Sequence, residues 1–119
     1  MKYILICLLL LSSSCFAADK WSDGDVYREV AYQTIQVIDW RQTLTIAKHP
    51  NSFSELNPLL DKHPTEFAVN RYFVISSITH AIIANYLPSK WRPTFQYITI
   101  GVEVTAVANN FKLGIAVDF

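Results

Sequence analysis

From Tyr72 to Ser89 the chain carries no aspartate, glutamate, lysine or arginine, and His80 is the only residue there that titrates near neutral pH. Apolar residues recur through Phe73, Ile75, Ile78, Ile82 and Ile83 until Pro88, which lacks the N–H that a helix interior needs. The stretch approaches the ~20 residues of a membrane-spanning helix. A segment this apolar must be covered, by protein or by lipid, and the rest of the fold has to supply that cover. Its start is expected at Pro64 or Thr65, with the Glu66 carboxylate favoured in the first turn by the helix dipole.

A second long element lies upstream. Val26 to Lys48 contains neither glycine nor proline, follows a polar turn with several N-cap candidates (Ser22, Asp23, Asp25), and ends in basic Lys48 and His49 before Pro50. Its apolar residues fall on two lines, Val30, Val37 and Leu44 and then Ala31, Ile35 and Ile38, with Gln33, Gln36, Asp39, Arg41 and Gln42 between them. Such a helix packs on several sides. The linker from Pro50 to Pro64 is rich in Asn, Ser and Pro; Asn57 is suited to cap, and Pro58 to open, a short turn over Leu59 and Leu60.

After the Lys90-Trp91-Arg92-Pro93 connection, a mixture suited to a membrane interface, a third helix is expected through about Asn110, leaving an extended tail. Apolar residues alternate from Ile98 to Val104 and again at Phe111, Leu113, Ile115, Val117 and Phe119, which is a strand signal. The predicted class is therefore all-α, a three-helix bundle behind an N-terminal signal segment with a short extended C-terminal tail; the alternative is α+β with a C-terminal β-hairpin. Too few other segments resemble strands to close a barrel.

The N-terminus reads as an export signal over residues 1–17: Lys2, an apolar stretch from Tyr3 to Leu11, then small residues, with Cys15 and Ala17 at −3 and −1 of a cleavage site after Ala17. Residues 18–119 then form one helical envelope or membrane domain. Cys15 also admits a lipoprotein reading, with acylation of its thiol after cleavage before it, although Ser12 stands where leucine is usual. A retained anchor is a further reading, short for a span. Cys7 and Cys15 are the only cysteines, so the domain has no disulfide and no thiolate ligand.

Net charge is zero, which argues against nucleic acid as a partner, and charged residues make up 17% against about 25% in ordinary soluble domains, which leans towards membrane. No Walker loop, G-x-S-x-G elbow or dinucleotide fingerprint occurs, and no cofactor is implied. His49 and His63 flank the linker and read as exposed loop residues.

Asp39 followed by Thr43, and Glu55-Leu56-Asn57-Pro58, resemble the D-x-x-x-T and E-x-N-P signature of a group of small bacterial and phage membrane proteins with three or four helices and no assigned activity. His80, Leu87-Pro88, Arg92, Glu103 and Asn110 to Gly114 resemble later landmarks of the same group. The resemblance implies a helical envelope protein and supplies no reaction; the polar character of the first helix departs from a full membrane span.

Asp39, Thr43, Glu55, Asn57, His80, Glu103 and Asn110 are thus the candidate polar cluster. Residues four apart share a helix face, so the Thr43 hydroxyl can donate to Asp39. If the helices pack as a bundle, Asp39, His80 and Glu103 can converge on a divalent metal or a proton; the plainer expectation is interhelical hydrogen bonds or ion pairs with Arg41 or Arg71. No E-x-x-H or H-E-x-x-H pair is present. For Glu55, Asn57 and Pro58 the plain reading is turn chemistry, and the functional one is a fixed loop read by a partner or a carboxylate reaching back to Asp39. Two functions follow: a noncatalytic interaction protein of the bacterial envelope, in the inner membrane or else periplasmic or lipid-anchored, with the membrane and an envelope protein as partners; or a membrane-embedded metal- or proton-handling protein using Asp39, Glu55, His80 and Glu103.

Overall fold

A computed structural model describes residues 18–117. The signal reading of residues 1–17, with Cys15, lies outside the described residues, as does the terminal Phe119. Three helices make up the fold: α1 over Asp23–Lys48, α2 over Glu66–Tyr86 and α3 over Arg92–Lys112. No residue among those described is in a strand, so the class is all-α and the hairpin does not form.

Local chemistry sets each boundary. Ser22 caps α1 with a full capping box: its hydroxyl accepts the Asp25 N–H at 3.1 Å and the Asp25 carboxylate accepts the Ser22 N–H at 3.0 Å. Thr65 caps α2 by accepting the Ala68 N–H at 3.1 Å. The helix stops at Leu87, which is extended (φ −65°, ψ 139°), the conformation imposed on a residue before proline. Pro93 sits in the first turn of α3, where its missing N–H costs nothing.

The third helix runs two residues past Asn110 and closes in a Schellman turn. Gly114 adopts φ +78°, its N–H meets the Phe111 carbonyl, and the Ile115 N–H meets the Asn110 carbonyl, both at 3.0 Å. This turn sends Ile115, 1% exposed, into the body, while the Thr45 hydroxyl lies 3.3 Å from the Ala116 carbonyl. The tail is thus fastened to the end of α1. Gly114→Val should destabilise the fold by about 1–2 kcal/mol, the cost of a left-handed conformation for a residue with a Cβ. Denaturant unfolding in detergent measures it; an unchanged midpoint would mean that the turn does not hold the tail.

α1 is the central element and packs along both other helices, whereas α2 and α3 touch each other little. Towards the linker, Leu44, Val69 and Phe73 form a small apolar core with Trp40, Ala47 and Tyr72 against it. Elsewhere the interior is polar. Gln42, Gln96 and Arg92 are 0% exposed, whereas Ile75 is 57%, Ile98 62% and Val102 63% exposed.

That inversion explains why the strand signal fails. Helical periodicity in α3 is written in polar residues, Arg92, Gln96, Thr99, Glu103 and Asn110, at successive steps of three, four or seven; these line the side that faces α1. Of the alternating apolar residues, Ile98, Val102 and Val104 sit on the outer surface, where their spacing sets no contact within the bundle.

Candidate functional site

The buried polar groups form two clusters along α1. At the end where α1 and α3 begin, Arg92 gathers four segments. Its guanidinium donates to the Ala84 carbonyl at 2.6 Å, the Asp25 carboxylate at 3.0 Å, the Asp19 carbonyl at 2.9 Å and the Leu87 carbonyl at 3.2 Å, and it lies over the Trp21 ring. Asp25 is also paired with Arg28, whose Nε donates to Gln96, and Gln96 donates to the Asp25 carbonyl and the Glu29 carboxylate. Nearby, the Ser89 N–H donates to the exposed Asp19 carboxylate at 2.6 Å and, with the Ser89 hydroxyl, holds that carboxyl below the usual range.

His80 belongs to this cluster. Its Nδ1 lies 3.0 Å from Glu29 Oε1 and its Nε2 2.8 Å from the Thr99 hydroxyl. A carboxylate only accepts, so Nδ1 carries the proton in that bond. The ring is stacked between Tyr32, at 3.5 Å between centroids, and Phe95, at 4.6 Å. Each ring nitrogen and each face is occupied.

The second cluster contains most of the residues singled out from sequence. Asp39, 8% exposed, accepts the Asn110 side-chain N–H at 3.0 Å, and Thr43 and Glu103 lie beside its carboxylate. Asn110 also donates to Gln42 Oε1 at 3.2 Å. Glu55 approaches from the linker, near enough to Asp39 for direct charge repulsion. One oxygen each of Glu55 and Glu103 is buried without a hydrogen-bond partner.

The structure therefore brings together Asp39, Thr43, Glu55, Glu103 and Asn110, and places His80 elsewhere. His80 pairs with Glu29, which is ten residues from Asp39 on α1 and so roughly 15 Å away along the axis. Among the described residues no group of three His, Cys, Asp or Glu is placed to hold a metal ion. Asn57 stays in the linker, where its side chain accepts the Leu59 N–H at 2.9 Å, and Glu55 accepts the N–H groups of Leu56 and Asn57 at 2.9 and 2.7 Å. The E-x-N-P motif is turn chemistry on one side and a carboxylate reaching Asp39 on the other.

Chemically, the second cluster can hold a proton. Asp39 and Glu103 are close enough to interact directly, and because a carboxylate only accepts, the two can hydrogen-bond to each other only when one of them carries a proton. Sequence reasoning missed the Asp25–Arg92 ion pair and the Glu29–His80 contact; Arg71, one of the two arginines expected to pair with the polar cluster, lies over the Phe67 ring. The spacing of Arg92, Gln96, Thr99 and Glu103 was the available signal. No family model, curated protein or solved structure matches this chain.

Proposed function

We propose that this chain is an integral membrane protein of the bacterial cell envelope, resident in the inner membrane beside the small bacterial and phage proteins that share its motifs, and that it acts without catalysis by binding another envelope component. The observation that carries the reading is the outward face of the bundle. α2 is long and apolar enough to cross a membrane, and only 22% of its most apolar stretch is buried inside the molecule. On α1, no exposed residue between Asp23 and Lys48 bears a charge; on α3, none does between Lys90 and Lys112. Those spans run about 30–35 Å at 1.5 Å per residue, against a hydrocarbon core of about 30 Å.

The charges of α1, which on sequence spoke against a span, support it here because Asp25, Glu29 and Asp39 turn inward to Arg92, His80 and Asn110. Ionisable groups in lipid are tolerated when they face the bundle interior and pair. Exposed Tyr27, Tyr86, Trp91 and Tyr97 ring the end where α2 meets α3, as aromatic residues do at a membrane interface. An exposed apolar surface this continuous has two uses, contact with lipid and contact with a membrane partner.

Fractionation with carbonate extraction tests the reading. The protein is expected in the carbonate-resistant membrane pellet, and release into the supernatant would overturn it. The Asp39–Glu103 pair favours a second reading, a protein that takes up and releases a proton at that pair; it requires a protonated carboxyl group that titrates in infrared difference spectra.

A further inference from the structure

A groove of about 540 Å³ follows α2 from the linker, at Leu60 and Asp61, to Phe95 at the start of α3. Its walls are mainly apolar, formed by Tyr72, Ile75, Ile83 and Phe95 with Ser76 and Thr79 among them, and its floor includes the edge of the buried His80 ring, whose polar atoms are already bonded. The linker end differs in kind: Arg71 and Asp61, both exposed and neither in an ion pair among the described residues, stand at that mouth.

We propose that this groove holds one acyl chain of a phospholipid whose head group carries a primary ammonium, with the lipid phosphate at Arg71 and the ammonium at Asp61. The inference rests on the membrane reading above, and four features of the groove select the occupant. From Arg71 to Ile83 the groove follows α2 for about 18 Å, a length that an extended alkyl chain can fill. Its volume of about 540 Å³ suits one slender chain. An extended alkyl chain meets the apolar walls and asks nothing of a floor whose hydrogen bonds are complete. The paired charges at one mouth match a head group bearing both signs, and the Arg71 fork suits a phosphate, while its long stem can lie along α2 with the charge at the interface.

The experiment uses the full chain in nanodiscs made of equal parts phosphatidylethanolamine, phosphatidylglycerol and phosphatidylcholine, released into mild detergent and weighed by native mass spectrometry with lipid extraction of the same sample. One phosphatidylethanolamine per protein is expected to be retained over the other two, because a quaternary ammonium cannot donate to Asp61 and a glycerol head offers no cation. Arg71→Gln, at an exposed position, should lower that retention about tenfold, the loss of one charge-assisted hydrogen bond. Ile83→Trp, which fills the groove, should abolish it at unchanged helicity by circular dichroism. Equal retention of the three lipids, a preference for phosphatidylglycerol, or undiminished binding by Ile83→Trp would overturn the proposal. Protein that stays in the carbonate-resistant pellet and carries no lipid sinks the groove alone; protein released by carbonate sinks the membrane reading with it.

Discussion

Arg92→Met is expected to destabilise the bundle by about 3–5 kcal/mol, the penalty for breaking a buried ion pair from one side. The guanidinium is 0% exposed, and its removal strands more than Asp25. The carbonyls of Ala84 and Leu87, at the end of α2, lose the donor that satisfies them outside the helix, and the Asp19 carbonyl loses the contact that holds the chain before α1 in place. Arg92→Lys should recover only part of the loss, because one ammonium cannot reach acceptors arranged around a planar fork. The measurement is unfolding of the detergent-solubilised protein by a denaturing surfactant, followed by tryptophan fluorescence, since Trp21 lies against the guanidinium. A loss below about 1 kcal/mol would place Arg92 with ordinary exposed ion pairs. Asp25→Asn in the Arg92→Met background should then cost little more, because the two residues act as one unit.

Asp39→Ala is expected to cost about 3 kcal/mol, since it leaves the buried Asn110 amide without its acceptor and empties the site beside Thr43 and Glu103. Asp39→Asn separates stability from chemistry. The amide oxygen can still accept from Asn110 and its N–H can donate to Glu103, so the contact between the two side chains no longer needs a proton. Folding should change by less than about 1 kcal/mol, within the net worth of one hydrogen bond. The infrared C=O stretch of a protonated carboxyl group, present in the wild type, should vanish in Asp39→Asn. A spectrum without that band in the wild type would remove the proton-holding pair, and with it the second functional reading. A band that persists in Asp39→Asn assigns the proton to another group.

Both residues show how unevenly the sequence could be read. The adjacency of Asp39 and Thr43 was legible because it is local: four residues on one helix are neighbours whatever surrounds them. Glu55, Asn57 and Pro58 were legible for the same reason, as turn chemistry. Arg92 was visible as part of a connection and as a landmark of the resembled group, but its partners lie 67 and 73 residues away at Asp25 and Asp19, and no local rule joins them. For His80 the plainer expectation was an interhelical hydrogen bond and the alternative a convergence with Asp39 and Glu103; helix register decides, and α2 sets its ring level with Glu29 and Thr99. Glu103 comes beside Asp39 because α3 runs parallel to α1, from Arg92 at Asp25 to Asn110 at Asp39 and Gln42.

By itself the sequence determined where helices begin and end. Ser22, Thr65, Pro88, Pro93 and Gly114 act within a turn of their own position, through missing donors, capping oxygens and a permissive φ, and those effects need no tertiary partner. It also determined that a long uncharged stretch had to be covered. Which face of each helix turns inward was decided only by the tertiary structure. α1 and α3 each carry a polar stripe and an apolar remainder, and a rule tuned to apolar cores points the wrong side in. The stripes face each other because Asp25, Glu29, Asp39, Arg92, Gln96 and Asn110 satisfy one another only across the helix interface, and an unsatisfied charge costs more than the packing of any single apolar side chain.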